Sequence, residues 1–160
     1  MVTRSNLVYS AAALRRMWGL AYRRLSDIQV REWWRVVWVW VPGHRPTFVP
    51  KAEFKQHFVE WRRQAAQTLR VVAWIDDASR FTVHNDAKGS SYVVEVSDTE
   101  IACTCEDYNH QVNAWSKGCC KHGYAVLQQL GFNSLSEYLQ RTNQRLKLLE
   151  PYQQQPVAAA

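Results

Sequence analysis

The sequence predicts an α+β fold: a short antiparallel β-meander closed against a helix, with a helix–strand–helix region before it and one more helix after it. Three observations predict it. Apolar residues recur every three or four positions in two stretches of the first seventy residues and again after residue 120. Between residues 80 and 105 the period changes to two. Two closely spaced pairs of metal-binding side chains then bracket the passage from the last strand to the next helix.

Taken in order, Ser10 is a suitable N-cap, and Leu14, Trp18, Ala21, Leu25 and Ile28 form one apolar stripe of a helix reaching about Ile28. The run 33–41 (WWRVVWVWV) is β-branched and aromatic, ends at Pro42-Gly43 and reads as a buried strand. Residues 44–49, flanked by prolines, read as a loop. Pro50 suits the start of a second helix from Lys51 to about Arg70, with Phe54, Phe58, Trp61, Ala65 and Leu69 inward. Val71 to Ile75 reads as a strand and 76–79 as a turn.

The meander follows. Phe81 and Val83 alternate with polar neighbours, residues 86–89 (DAKG) make a hairpin turn, and Tyr92, Val94 and Val96 line one face of the next strand. A second turn at 97–100 leads into a strand delivering Cys103 and Cys105, and an irregular stretch follows. A third helix is expected from about Lys121 to Gly131, a good C′ residue, with Phe132 folding back on it. Ser134 to Glu137 reads as a capping box opening a fourth helix that Pro151 stops. The expected organisation is an N-terminal α/β region over 1–75, a second unit over 76–150 with its core at 80–132, and a disordered tail over 151–160.

The chain has 160 residues, a formal charge of +6 and eight Trp, which reads as a compact core filled with large side chains and a preference for anionic partners. The first six residues (MVTRSN) lack the apolar stretch of a secretory signal, and the longest apolar run is too short to span a bilayer. With the cysteines clustered rather than scattered, a reducing, intracellular setting is expected: cytoplasmic, or nuclear in a eukaryote.

Cys103 and Cys105 sit one residue apart at a strand end, where period two puts both sulfurs on one side. Cys120 and His122 repeat the spacing. A helix interior would turn residues i and i+2 apart, so this pair is expected in the turn entering the third helix, where Gly118 gives freedom to wrap an ion and helix N–H groups favour thiolate. Cys3His is a closed, tetrahedral structural zinc set, so one Zn2+ is the expected cofactor. A Cys119-x-x-His122 register and a vicinal disulfide are conceivable. The symmetric spacing favours Cys120 and leaves Cys119 a spare small side chain.

The segment resembles the SWIM-type zinc finger, whose pattern is C-x-C, a variable spacer, then C-x-H. Residues 92–96 (YVVEV) resemble its preceding strand, 103–108 (CTCEDY) its "CtCpDf" segment, and 120–127 (CKHGYAVL) its "CkHilAvl" helix start. The likeness covers roughly residues 80–132. It implies a ββα zinc fold without catalysis, of a kind attached to chromatin remodellers, transposases, ubiquitin-pathway and recombination proteins and thought to bind DNA or proteins.

Other residues carry weaker signals. His110 lies in the spacer, while His44, His57 and His84 show no ligand spacing. Cys120 with His122 as a nucleophile–base pair conflicts with a closed zinc site, and no phosphate-loop, dinucleotide, nucleophile-elbow or zinc-protease motif occurs. Arg15, Arg16, Arg23 and Arg24, with Arg62 and Arg63, are candidates to grip phosphates while nearby aromatics stack on bases. The sequence therefore reads as a non-catalytic zinc-binding module contacting nucleic acid, DNA first. The alternative is a protein-interaction adaptor that uses an aromatic surface and keeps zinc purely structural.

Overall fold

A computed structural model describes residues 3–153, so most of the tail expected to be disordered lies outside the described residues. The chain is α+β, with two antiparallel sheets and helices packed on each.

The first helices are short: α1 (Arg4–Val8) and α2 (Ala11–Met17), the latter capped by the Ser10 hydroxyl, which accepts from Ala13 N–H at 3.2 Å. The expected helix to Ile28 ends eleven residues early because Gly19 adopts φ +64°. There the N–H groups of Gly19 and Leu20 bond back to the carbonyls of Arg16 and Arg15, closing the helix end. A single 3-10 turn (Leu25–Asp27) then leads into β1 (Gln29–Glu32). β2 (Val36–Trp40) and β3 (Thr47–Pro50) complete a sheet of order β1-β2-β3. Residues 44–49 are therefore not all loop. Flanking prolines are tolerated because β3 is an edge strand, where missing donors cost little.

Helix α3 (Lys51–Ala66) lies under this sheet. Phe54 is fully buried in one cluster with Val37, Val39, Val49, Leu14, Leu20 and Ile28. The strand expected to be buried is buried on one face only: Val37 and Val39 point in, whereas Trp33 and Trp34 are exposed. None of the eight Trp is among the buried core residues, so the expectation of a Trp-filled core is corrected. The core is built instead from Val, Leu and Phe, whose smaller side chains interdigitate under so small a sheet.

The second sheet is a meander of order β4-β5-β6-β7: Arg70–Ala73, Arg80–Asn85, Ser90–Val96 and Ile101–Cys103. Gly89, at φ +61°, turns the β5–β6 hairpin. The stretch after Cys105, expected to be irregular, is α4 (Glu106–Trp115). Its inward face is easy to miss in sequence because the buried positions are Tyr108 and the polar Gln111. Helix α5 (Lys121–Gln129) crosses the sheet with residues 122–127 all buried. Its end follows the expected geometry: Gly131 takes φ +83°, and Gly131 and Phe132 bond back to Gln128 and Leu127 at 3.1 and 2.8 Å.

Ser134 caps α6 (Leu135–Gln153) through Glu137 N–H, but the Glu137 carboxylate accepts from Asn133 N–H rather than from Ser134. Helix α6 passes Pro151 and ends at Gln153. A proline in a last turn forfeits one backbone bond rather than a ladder of them.

Candidate metal centre

Four side chains from three elements converge at one end of the second sheet. β7 delivers Cys103. Cys105 is the N-cap of α4, and its sulfur accepts from Tyr108 N–H at 3.4 Å. Cys120 is the N-cap of α5, and its sulfur accepts from Gly123 N–H at 3.5 Å. His122 lies in the first turn of α5. Because Cys120 is still extended (φ −79°, ψ 175°), the pair straddles the helix boundary and both side chains face the same point. Two helices thus present N-termini to the sulfurs, where free N–H groups and the positive dipole end favour anionic sulfur.

The donor atoms of Cys103, Cys105, Cys120 and His122 all lie within 4.8 Å of one another, and all four residues are buried, at 6, 4, 0 and 3 % exposure. Histidine Nδ1 is 3.7 Å from the sulfurs of both Cys103 and Cys120. Zinc bonds of about 2.3 Å to sulfur and 2.0–2.1 Å to nitrogen put the S···N edge of a tetrahedron at about 3.6 Å, so this spacing fits. With Nδ1 turned to the sulfurs, Nε2 carries the hydrogen, and it is buried without a partner among the described residues. The ring is held instead by Tyr92 of β6, stacked at 4.3 Å and 28°.

The thiols also fit a dication. Hydrogen bonds from Cys103, then Cys120, hold the Cys105 thiol well below the ordinary thiol range. Giving that bond to Cys105 helps push Cys103 up to about 12, and the bonds of Cys120 to Cys103 and Cys105 raise Cys120 as well. Crowded sulfurs share one negative charge, and all three ionise together only beside a cation. The arrangement is consistent with one structural zinc.

Cys119 is not among the clustered donors. Its thiol is buried, which pushes it up to about 12, and its N–H donates to Gln111 Oε1 at 3.0 Å. Gly118 has a different job from the expected freedom to wrap an ion: a Cβ there would lie 2.5 Å from Gln111 Cβ, so only glycine lets the knuckle pass α4. His110 is on α4, 3.5 Å from Glu106. His44 tilts against Trp18, His84 meets Ser91 Oγ at 2.7 Å, and burial lowers His57.

The arginines separate into different roles. Arg62 is buried, with Nε and Nη2 donating to Asp107 at 2.9 and 2.6 Å and Nη1 to the Phe58 carbonyl at 2.9 Å. Asp107 also accepts from Gln111 Nε2 at 3.2 Å. A continuous network therefore runs from α3 through α4 to the backbone just before Cys120. Sequence reasoning missed this role, which an Arg and an Asp forty-five positions apart do not advertise. Arg15 and Arg23 donate to the carbonyls of Arg23 and Pro42, and Arg16 rests 4.4 Å over the Trp61 ring. Arg24 is exposed and Arg63 half-buried.

The fold and site together define a small zinc-binding module in which the metal joins a strand end to two helix starts. Residues 92–131 of the 160 match the SWIM zinc finger family, a binding module. No curated protein and no solved structure matches the chain. No helix among the described residues is long and apolar enough to cross a membrane.

Proposed function

We propose that the protein is a non-catalytic, intracellular module that contacts nucleic acid, with Cys103, Cys105, Cys120 and His122 holding one zinc ion that fixes the fold. In this reading the zinc unit is the four-stranded sheet with the helices after it, from β4 onward rather than from residue 76, and the chain before it is a companion that supplies binding surface. The observation that carries it is the burial of all four donors, which leaves a bound metal no open position for substrate. The chain's charge of +6 makes an anionic partner the favoured one. Arg15, Arg16, Arg23, Arg24 and Arg63 are the candidate phosphate contacts. Arg62 is not carried forward, because Asp107 already neutralises its charge.

The test is binding of zinc-loaded protein to duplex and single-stranded oligonucleotides across a salt series. Phosphate contacts release counterions, so affinity falls steeply with salt, and the triple reversal Arg16→Glu, Arg24→Glu, Arg63→Glu weakens binding and flattens the slope. Absence of binding at low salt sinks the reading. A second reading, a protein-interaction adaptor, is favoured by Val72, Trp74 and Ile75 at the β4 edge, exposed at 44, 36 and 106 %. Partners retained from extract after nuclease treatment, and lost on Ile75→Asp, would support it instead.

A further inference from the structure

We propose that the outer face of the first sheet is a stacking platform for single-stranded nucleic acid. The inference rests on the nucleic-acid reading above and moves the principal contact from the helix arginines to β1–β3. Strand β2 alternates: Val37 and Val39 enter the core, so Trp38 and Trp40 lie on the opposite face. Pairing sets Arg31 and Phe48 directly across from Trp38, hence on that same face. Trp33 meets Phe48 edge-on at 5.3 Å, and the Arg31 guanidinium lies 5.8 Å from the Trp38 ring centre. Trp33, Phe48 and Trp34 are exposed at 56, 52 and 88 %. Trp33, Trp34, Trp38 and Trp40 join neither buried cluster.

The charges on this element select the partner. Across residues 29–51 the cations are Arg31, Arg35, Arg45 and Lys51, and the one carboxylate, Glu32, is ion-paired with Lys51. Arg31 lies within the aromatic stripe, Arg35 at the β1–β2 hairpin tip and Arg45 in the loop after β2, so cations stand along and at both ends of it. A cleft of about 520 Å³ bounded by Glu32, Trp33, Trp34 and Lys51 opens at the tip, with room for a base. Rings beside Arg31, Arg35 and Arg45 match a ligand that offers flat bases and phosphates together. Duplex DNA and RNA hide their base faces in the stack, so the strand that fits is single. At about 3.3 Å per residue, β2 is on the order of 16 Å long, enough for a few nucleotides.

The experiment uses the zinc-loaded full chain with a labelled mixed-sequence 12-nucleotide single strand and the same sequence as duplex, read by anisotropy. The single strand should bind more tightly than the duplex. Trp34→Ala, Trp33→Ala and Trp38→Ala should each weaken it by about tenfold, while Arg31→Gln should reduce the salt slope. Zinc content and the circular dichroism spectrum should be unchanged, which Trp34, at 88 % exposure, guarantees best. Tighter duplex binding, or Trp variants within twofold of the parent, overturns the proposal. The nucleic-acid reading then survives if the Arg16, Arg24, Arg63 reversal still weakens binding and flattens its salt slope. If neither oligonucleotide binds at low salt, both fall.

Discussion

Replacing Arg62 by Met should cost about 2–3 kcal/mol of stability and loosen the zinc knuckle, without altering the salt dependence of nucleic-acid binding. Truncating one partner of a buried ion pair costs about 3–5 kcal/mol because the other charge is stranded. The Arg62 side chain is only 6 % exposed, but Asp107 is 33 % exposed, so water recovers part of its hydration and the figure must be discounted. The lost bond to the Phe58 carbonyl adds about 1 kcal/mol. Methionine retains an apolar stem beside the Phe58 ring, which lies 3.6 Å from the guanidinium carbon, so packing losses are small. Urea unfolding of the zinc-loaded protein should show a midpoint lower by about 1–2 M. Combining Arg62→Met with Asp107→Asn should cost clearly less than the two changes summed. Since Gln111 links Asp107 to the Cys119 N–H, competition with a chelator should show several-fold weaker zinc binding. A stability change under about 0.5 kcal/mol, no more than surface substitutions usually produce, would refute the reasoning. So would a flattened salt slope, which would return Arg62 to the phosphate contacts.

Other outcomes follow from the same geometry. Cys120→Ser should abolish tight zinc binding, whereas Cys119→Ala should keep it at a cost of about 1 kcal/mol, measured by metal analysis and unfolding; reversed results would move the ligand set to Cys119. Gly118→Ala should displace α4 from the knuckle, because its Cβ would lie 2.5 Å from Gln111 Cβ, and lower both zinc affinity and melting temperature. Chelation should unfold the 92–131 segment, since zinc contributes on the order of 10–16 kcal/mol in small fingers, while circular dichroism should retain the signal of the first sheet. Without metal, the raised pKa values of Cys103 (about 12) and Cys120 favour the protonated thiols. Those protons stabilise the metal-free fold below the ordinary thiol pKa of about 8.5, an effect lost as pH climbs toward 12. Zinc must displace them, so its apparent affinity should rise with pH, by about tenfold per pH unit for each proton released. A flat profile between pH 6 and 9 would count against thiolate ligation.

The metal site was legible because its information is local. Two pairs with x between them, one at a strand end and one before a helix, restrict the geometry without reference to the rest of the chain. The helix capped by Cys120 and the Gly131 closure were legible for the same reason. What escaped was set by tertiary partners. Ten residues of α4 look irregular in sequence because a buried Gln111 interrupts the apolar stripe, and Gln111 is tolerated there only because Asp107 and Cys119 N–H satisfy it. The helix expected to reach Ile28 rested on an apolar period that continues in sequence past the break, but there only Ile28 of that stripe is buried, Ala21 and Leu25 are exposed, and Leu20 turns inward instead. Gly19 was the available signal and was outweighed by that period.

The tryptophans mark the deeper limit. Hydrophobicity alone places WWRVVWVWV inside, yet a three-stranded sheet covered on one side has only one inward row, and Val37 and Val39 fill it. The larger indoles are left to the other row by period two alone, whatever their affinity for a core. Helix α3 covers that inward row: Phe54 shares its buried cluster with Val37, Val39 and Val49, while Arg62, further along the same helix, bonds Asp107. The start of α4, capped by Cys105, thus gives α3 a second anchor through Asp107. The sheet has its own buried cluster and should outlast metal removal, but α4, whose Trp115 packs against Phe58 at 5.4 Å, should not hold that contact without the Cys105 cap. Metal removal should therefore release α4 from α3, while Phe54, inside the sheet's own cluster, keeps α3 on the sheet and the aromatic row outward.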